Sequence, residues 1–273
     1  RSQTGAVHVF VRTGGRWVQQ AKLLAQDGAA GDQFGWSVSV SGDTALIGAN
    51  RRAHDTGAAY VFHRSGSTWT QQARLAPADL ALGDGFGAAL GLDGDTALVG
   101  APLQAKLSGA AYVFARTSAG WVQQAKLRTG AAAAQGQLGR SVSLSGDTAL
   151  VGSHAHETGA AHVFARSAGI WTEQATLLPA DPAADNFAFS VGVSGSTAIV
   201  GAMYTANATG AVHVFTRGAG IWTEQKKLAA ADASAQEYLG CAVSISGDTM
   251  LAGAHRKGEG RGAAYVFVGG RAS

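Results

Sequence analysis

Three side chains suited to binding a flat ligand occur at equivalent positions of a repeated segment. The segment begins with an aromatic residue or Leu followed by Gly or Ala, and Trp36, Arg140 and Phe189 each stand two residues after its first position. Aromatic rings and guanidinium groups stack on sugars and other planar ligands. We therefore predict that these three residues belong to a binding surface. The alternative is that Trp36 and Phe189 only fill the mouth of a central channel.

A second group lies in the loops that differ most between the repeats. These loops contribute Arg51, Arg52, His54, His154, His156, Tyr204, Arg256 and Lys257. The basic members favour an anionic ligand such as an acidic polysaccharide. The histidines, Tyr204 and the arginines are also groups that a lyase or hydrolase would use as acid and base. The alternative is that these loops are solvated connections without a ligand.

Metal ligands are sparse. His154-x-His156-Glu157 supplies half of a metal site, without a third ligand nearby in the sequence. The recurrent turn Ser41-Gly42-Asp43 offers too few oxygens for calcium. Carboxylates that precede the repeated segment are predicted to cap turns as Asx motifs, with calcium at this rim as the alternative. They are Asp27, Asp32, Asp79, Asp84, Asp181 and Asp185. We therefore predict no cofactor.

The elements that must position these residues repeat five times. One copy begins at Phe86-Gly87 and runs through a Gly-Asp turn to Gly100-Ala101-Pro102. The other copies begin at Phe34, Leu138, Phe187 and Leu239. Each unit of about 50 residues contains four short stretches with strand-like alternation, separated by turn residues and without a helical pattern.

Four antiparallel strands per unit predict an all-β fold, a β-propeller of four-stranded blades. In the first strand, bulky residues such as Val38 alternate with small ones such as Ser39. The bulky face of one blade then packs on the small face of the next. The chain 1–273 forms one propeller domain in this interpretation. Its repeats are approximately 34–85, 86–137, 138–186, 187–238, and 239–268 together with 5–24.

Five first strands predict five blades. The chain begins with a third and a fourth strand at 5–24 and ends after a third strand at 262–268. We predict that the N-terminal strands share the last blade with the C-terminal ones and so close the ring. One third strand, either 5–10 or 262–268, is then left over. The alternative is that the chain is a piece of a six- or seven-bladed ring.

A charge pattern bears on this closure. In three units an acid in the turn after the first strand matches an arginine at the end of the third, as Asp43 matches Arg64. Asp248 has no such arginine in its own unit, because Gly269 stands there. We therefore expect Arg12 to lie near Asp248.

Composition excludes several classes of protein. Lys and Arg number 21 against 18 Asp and Glu, and the resulting net charge of +3 is too small for a dedicated nucleic-acid binder. Cys241 is the single cysteine, so neither an internal disulfide framework nor a cysteine zinc site is available. No apolar run approaches the roughly 20 residues that span a bilayer. The chain shows no signal-peptide pattern, and we expect that any targeting segment has been removed or left out.

The motif resembles the FG-GAP repeat of bacterial proteins, a β-propeller type also found in integrin α subunits. The matching dipeptides are Phe34-Gly35 with Gly48-Ala49, Phe86-Gly87 with Gly100-Ala101, Leu138-Gly139 with Gly152-Ser153, Phe187-Ala188 with Gly201-Ala202, and Leu239-Gly240 with Gly253-Ala254. The resemblance covers nearly the whole chain and implies an extracellular or surface protein that binds ligands. This sequence departs from the integrin type in two respects. Integrin propellers have seven blades, whereas five first strands are counted here. Integrin propellers also carry calcium loops of the form Asp-x-Asp-x-Asp-Gly, which the turns of this sequence do not match.

These observations lead to one prediction of function and two alternatives. We predict a secreted, lectin-like or adhesive propeller that recognises a glycan or a protein partner through loops at one face. The first alternative is a polysaccharide lyase or hydrolase at the channel mouth, which a convergent acid–base pair would identify. The second is an adhesion or scaffold module with no small-molecule site. The sequence favours a non-enzymatic function and leaves the ligand and the oligomeric state open.

Overall fold

The computed structural model describes residues 4–130, 136–154, 159–180 and 186–269. The chain begins with a hairpin of β1 (Val7–Thr13) and β2 (Arg16–Leu23). It continues through five antiparallel sheets arranged as consecutive blades.

The strands follow one another within each blade in chain order. The first blade contains β3 (Val38–Ser41), β4 (Thr44–Ala49), β5 (Ala58–Ser65) and β6 (Thr68–Leu75). The second contains β7 (Leu90–Asp93), β8 (Thr96–Ala101), β9 (Ala110–Thr117) and β10 (Gly120–Leu127). The third contains β11 (Ser141–Ser145), β12 (Thr148–Ser153), β13 (Ala160–Ser167) and β14 (Ile170–Leu177). The fourth contains β15 (Phe187–Ser194), β16 (Thr197–Ala202), β17 (Ala211–Gly218) and β18 (Ile221–Leu228). The fifth contains β19 (Leu239–Ser246), β20 (Thr249–Ala254) and β21 (Ala263–Val268).

The predicted fold class is confirmed. The protein is an all-β, five-bladed propeller built on four-stranded antiparallel sheets. The connections between second and third strands, predicted as loops, contain four-residue segments that form left-handed turns. They are Arg52–Asp55, Gln104–Leu107, Thr205–Ala208 and Lys257–Gly260. Within the described ranges, none of the helices is long and apolar enough to cross a bilayer.

The repeated glycines mark the closest approach between blades. A Cβ atom on Gly100, at the end of β8, would lie 2.0 Å from the carbonyl oxygen of Gly139 in the next blade. A Cβ atom on Gly201 would lie 2.1 Å from the carbonyl oxygen of Gly240. Because real Cβ atoms cannot approach an oxygen so closely, the second strand requires Gly at this point. The dipeptides that start and end the motif therefore form the contact between neighbouring blades.

Bulky and small faces interlock along the first strands, as predicted. Gly91 on β7 faces Leu144 on β11, whose Cβ lies 3.3 Å from where a Cβ of residue 91 would stand. Gly192 on β15 faces Ile245 on β19 in the same way, at 3.2 Å from its Cγ2. Each blade thus offers small residues against which the bulky side chains of its neighbour pack.

Aromatic rings fill the space between the blade and the loop that enters it. Phe86 packs edge-on against Tyr112 and Phe114, with ring centroids 5.5 and 6.1 Å apart. Phe187 makes the same contacts with His213 and Phe215, at 5.3 and 6.1 Å. Each such pair adds about 0.5–1.5 kcal/mol to the stabilisation from burial. The aromatic residue of the motif is therefore a core residue.

The predicted ion pairs form between an acid in the turn after a first strand and an arginine at the end of the third strand. They lie at the end of the blade away from the loop that enters it. The distances are 2.7 Å from Arg64 Nε to Asp43 Oδ1, 3.8 Å from Arg116 Nη1 to Asp95 Oδ1, and 2.6 Å from Arg166 Nε to Asp147 Oδ1. They tie the end of each third strand to the hairpin of the same blade.

The two ends of the strand series leave apolar residues uncovered. In the structure β21 pairs with β20 alone, and β1 and β2 pair with each other as a separate sheet. Val40 on β3 is 67% exposed and Val266 on β21 is 64% exposed, whereas Val193 at the position of Val40 is 5% exposed. These faces are those that closure of the ring would cover. The predicted sharing of one blade by the termini, with Arg12 near Asp248, stays a prediction.

Candidate ligand-binding face

Two sets of loops meet at one end of the propeller. Gly85 donates its amide to the carbonyl of Asp55 at 2.8 Å, and Gln137 donates to Leu107 at 2.8 Å. Each bond joins a loop after a second strand to the loop that enters the next blade. This confirms that both sets share a face, which we call the upper face. It comprises residues 50–57, 102–109, His154, 203–210 and 255–262 of the first set, and 24–33, 76–85, 128–130, 136–137, 178–180 and 229–238 of the second, together with Arg140 and Phe189 at the adjoining starts of the first strands.

The loops after the second strands share an unusual backbone. Ala53, His54 and Asp55 have φ values of 50°, 58° and 62°, which form a left-handed turn. The same three positions have positive φ at 105–107, 206–208 and 258–260. Most of these residues are not glycine, and the conformation costs about 1–2 kcal/mol per residue. Hydrogen bonds such as Gly57 N to Arg52 O, at 2.9 Å, hold the turn in place.

Three predicted site residues come together between the third and fourth blades. The guanidinium carbon of Arg140 lies 5.7 Å from the ring centroid of Phe189. The ring of His154 meets the same phenyl ring edge-on at 5.8 Å. We call Arg140, His154 and Phe189 the Phe189 cluster. It combines a cation, an imidazole and an apolar ring on one surface.

A second aromatic cluster lies between the fourth and fifth blades. The ring of Tyr238 meets that of Tyr204 edge-on at 5.3 Å and lies 5.1 Å from that of His255. The guanidinium carbon of Arg256 lies 5.2 Å from the Tyr238 centroid. We call these four residues the Tyr238 cluster. Tyr204 and Arg256 were predicted, whereas Tyr238 and His255 were missed.

A signal for the missed residues is present in the sequence. Tyr238 directly precedes Leu239, and His255 directly follows Ala254, so both flank the repeated motif. The residue two places after Leu239 is Cys241, which makes a sulfur contact to the carbonyl of Gly253 at 3.4 Å. In this unit the aromatic side chain therefore comes from the position before the motif.

Three predicted residues of the first blade, Trp36, Arg51 and His54, are exposed. Trp36 is 54% exposed and His54 is also exposed. Arg51 lies 3.8 Å from Asp55, with both side chains more than half exposed. Such a surface pair contributes little stability and leaves the guanidinium accessible. His156, with Glu157 of the suggested half metal site, lies outside the described residues.

Arg52 makes ion pairs within the protein. Its Nη2 donates to Asp27 Oδ2 at 2.9 Å, and its Nη1 lies 3.2 Å from Asp32 Oδ2. The hydroxyl of Tyr60 donates to the other carboxylate oxygen of Asp27 at 2.9 Å. Burial, and this hydrogen bond to Asp27, raise the pKa of Tyr60. The charge of Arg52 is therefore already balanced by two carboxylates.

Lys257 is held in the same way in the fifth blade. Its Nζ lies 3.2 Å from Asp232 Oδ2 and 3.1 Å from Glu237 Oε2. Although burial lowers it, the hydrogen bonds to Glu237 and Asp232 raise the pKa of Lys257 to about 12. The ammonium group stays protonated at physiological pH and is paired inside the rim.

Two of the carboxylates that precede the motif bond to turn amides, whereas the carboxylates of Asp27 and Asp79 make ion pairs with Arg52 and Lys126. Asp32 Oδ2 accepts a hydrogen bond from the Ala29 amide at 2.8 Å, and Asp84 Oδ2 accepts one from Ala81 at 2.8 Å. In both turns the donor amide lies three residues before the Asp, so these turns differ from the predicted Asx motif, in which the amide lies two residues after it. Asp181 and Asp185 lie outside the described residues.

The chain was compared with known protein families. A model described as FG-GAP repeat matches residues 17–62, 69–114, 121–164, 171–215 and 222–267. The chain belongs to the FG-GAP repeat family. A search of curated proteins finds no match.

The family unit is offset from the structural blade. Each matched unit of this FG-GAP propeller begins at the Trp of a fourth strand and ends at the Phe of a third strand, as 17–62 does from β2 to β5. The last unit, 222–267, therefore ends within β21. By this division β1 lies before the first matched unit.

No group of three or more His, Cys, Asp or Glu side chains able to hold a metal ion occurs among the described residues of this FG-GAP protein. The hairpin turns at Asp43, Asp95 and Asp147 direct their carboxylates to arginines. What the upper face offers chemically is therefore aromatic surface with adjacent cations.

Proposed function

We propose that this FG-GAP propeller is an extracellular module that recognises a glycan or a macromolecular partner through its upper face. Its fold is that of a ligand-binding or scaffold module. The observation that carries the proposal is the presence of two aromatic clusters with arginines, on neighbouring blade junctions of one face. They stand on loops whose side chains differ while the framework repeats.

The chemistry of the clusters suits a saccharide. A pyranose ring presents an apolar face of C–H groups, which packs on a phenyl or phenol ring. Arg140 beside Phe189 and Arg256 beside Tyr238 place a guanidinium next to each ring. A planar guanidinium binds carboxylate and sulfate groups in a bidentate manner. A glycan that carries acidic groups along its length would meet both features at each cluster.

The charges available to such a ligand are fewer than composition suggests. Arg52 and Lys257 are paired with carboxylates of the rim. Arg51, Arg140 and Arg256 are the predicted basic residues that remain for the ligand. We expect substitution of these three to weaken binding most among the arginines and lysines.

A glycan array with neutral and acidic polysaccharides tests this function. We expect acidic glycans to bind, and Tyr238→Ala and Phe189→Ala to weaken the affinity about tenfold each, the loss of one stacking contact. Ile170→Ala is the matched control, because Ile170 is 66% exposed at the opposite end of the third blade. Binding that is unchanged in both aromatic variants would remove the upper face from consideration.

A different outcome is that no glycan binds but a partner protein does, and that its binding needs Tyr238 and Arg256. This outcome would favour a macromolecular partner over a glycan. Absence of both would favour the scaffold alternative. Surface exposure on intact cells, measured by antibody labelling, tests the extracellular part separately.

A further inference from the structure

Three side chains of the third blade are linked by hydrogen bonds in the order that a serine hydrolase uses. Ser153 Oγ lies 3.0 Å from His162 Nε2, and His162 Nδ1 lies 2.9 Å from Glu173 Oε1. A nucleophile bonded to a base, with the base held by a carboxylate, is the arrangement of a Ser-His-acid triad. We call these three residues the Ser153 triad. None of them belongs to the Phe189 cluster or to the Tyr238 cluster.

The strands of the blade bring the three side chains to one face of the sheet. Ser153 ends β12 opposite Ala160, and His162 lies two residues further along β13, so both side chains point the same way. A β-bulge just before Phe164 shifts the pairing of β13 with β14. Glu173 then lies opposite Phe164, and its carboxylate reaches the imidazole. Bulges redirect side chains in this way and are frequent beside functional sites.

The hydrogen bonds determine which nitrogen of His162 carries the proton. An ionised carboxylate only accepts, so the bond to Glu173 places the hydrogen on Nδ1. Thr176 donates its hydroxyl to the same Glu173 oxygen at 3.1 Å and so helps to hold the carboxylate. Nε2 is left with a lone pair that faces the hydroxyl of Ser153. This hydroxyl also lies 3.2 Å from the carbonyl oxygen of Ala160, the second acceptor for its hydrogen.

The fourth blade contains the same base without the nucleophile. His213 Nδ1 lies 2.6 Å from Glu224 Oε1, and Ala202 stands at the position of Ser153. His213 is fully buried, and its Nε2 has no hydrogen-bond partner in the part of the chain that the structure describes. The histidine–glutamate pair is therefore a framework feature of both blades, and the serine is what the third blade adds to it.

Solvent reaches the position of Ser153 in the third blade and is excluded from it in the others. Ser153 is partly exposed at the end of β12, directly before His154 of the Phe189 cluster. Its counterparts are alanines with an exposed fraction of at most 1%, namely Ala49, Ala101, Ala202 and Ala254. A small molecule can therefore approach the hydroxyl of Ser153 from the upper face.

A serine hydroxyl that is activated by an adjacent base attacks carbonyl carbons. We propose that the Ser153 triad hydrolyses small esters, with Ser153 as the nucleophile, His162 as the general base and Glu173 as a positioning residue. Oγ of Ser153 bonds to the ester carbonyl carbon while its proton passes to His162 Nε2. The bond from this carbon to the alcohol oxygen breaks, and the alcohol leaves with that proton.

A water molecule completes the cycle. Its oxygen bonds to the acyl carbon while one of its protons passes to His162 Nε2. The bond from Ser153 Oγ then breaks, Ser153 recovers the proton and the carboxylic acid leaves. Ester and water thus give acid and alcohol without a further reactant. The partial exposure of Ser153 favours a short acyl group such as acetyl.

Hydrolysis of p-nitrophenyl acetate by the full chain tests the proposal. General base catalysis contributes about 10²–10⁴-fold, so the natural chain should be faster than Ser153→Ala by about this factor. Ser153→Ala copies the fourth blade and should therefore fold. Ser145→Ala is the matched control in the same blade, because the Ser145 hydroxyl accepts a bond from the Gly195 amide at 3.1 Å. This control should keep the full rate.

Labelling with diisopropyl fluorophosphate identifies the nucleophile directly. Oγ of Ser153 should displace fluoride from phosphorus, and peptide mapping should locate the adduct on Ser153. The double variant His162→Tyr with Glu173→Gln copies the second blade, where Tyr112 and Gln123 stand at these positions. It should fold and lose both the adduct and the hydrolysis.

Glu173→Gln alone tests the positioning role. It should lower kcat about tenfold or more with KM unchanged, whereas a site that was merely loosened would also change KM. A natural chain that is no faster than Ser153→Ala, or equal labelling of Ser153 in the double variant, would overturn the proposal. Either result is independent of the proposed glycan recognition, because the probes are small and the triad shares no residue with the two aromatic clusters.

Discussion

The indole nitrogen of Trp171 donates a hydrogen bond to Oε1 of Gln124, which lies in the preceding blade, at 2.9 Å. Trp69 makes the same bond to Gln20 across the first junction, at 2.9 Å. Trp121 lies at the equivalent position of the second blade, and its buried indole nitrogen has no partner. Alternate junctions are therefore linked by this bond.

This difference predicts unequal effects of one substitution. Trp171→Phe should destabilise the protein by about 1 kcal/mol more than Trp121→Phe, since only the first removes a hydrogen bond between blades. Urea unfolding measures both, and in the background of Gln124→Ala the two substitutions should cost the same. Equal costs in the natural background would show that the bond contributes nothing.

The contact between repeated glycines predicts a large effect of a single methyl group. Gly100→Ala should destabilise the protein by about 3 kcal/mol or more, because the new Cβ would overlap the carbonyl of Gly139. Gly130→Ala is the control, since nothing lies within 4 Å of its Cβ position. We expect the control to change the free energy of unfolding by less than about 0.5 kcal/mol. A tolerated Gly100→Ala would mean that the blades can separate at this point.

The left-handed loops predict that glycine stabilises where it usually does not. Ala53→Gly should raise the free energy of unfolding by about 0.5–1 kcal/mol, because relief of the strained φ of 50° exceeds the added entropy of the unfolded chain. Ala73→Gly, in β6, should lower it by a similar amount. Chemical denaturation compares the two, and a loss of stability in both would indicate an unstrained loop.

The pair of Asp79 and Lys126 predicts a pH dependence. Burial raises the pKa of Asp79, but the hydrogen bond and charge of Lys126 outweigh it and hold the pKa below its usual value. Because the folded pKa is depressed, the stabilisation is complete above the unfolded value of about 4 and is lost as pH falls through the folded value.

Lys126→Met should therefore lower the Tm at neutral pH, and the difference from the natural chain should shrink below about pH 4. Lys106→Met, an exposed lysine on the same face, should show no such pH-dependent difference. A Tm difference that is constant from pH 3 to neutral, about 7, would contradict the role of the charge.

Ring closure predicts a cross-link. In a Cys241→Ser background, Arg12→Cys and Asp248→Cys together should be joined within one chain by a short bismaleimide. Arg12→Cys paired with Asp147→Cys, in the third blade, is the control that should not react in this way. Products found only between chains would argue for a larger ring or an open arrangement.

Much of the fold could be predicted, because its rules are local and repeated. Alternation of bulky and small residues fixes the faces of a strand, and Gly91 opposite Leu144 follows that rule. The choice of residues for the upper face could be predicted only in part. Phe189 and Arg140 were found because they stand at equivalent places in the repeat.

Other features depend on contacts that a repeat pattern does not encode. The carboxylate partners of Arg52 and Lys257 lie 20–25 residues earlier in the chain, in a different loop. The residue before the motif has a positive φ in every unit, but only at Tyr238 is its side chain aromatic, so the repeat does not encode this cluster. Loop conformation, and the pairing that follows from it, therefore needed the structure.

The left-handed turns carry one more consequence. In the four described copies the backbone is the same, while its side chains range from Arg52-Ala53-His54 to Lys257-Gly258-Glu259. The upper face thus repeats one loop backbone that carries different side chains in each of these four blades. A few residues can therefore be exchanged between blades to change the side chains that this face presents while each loop keeps its backbone conformation.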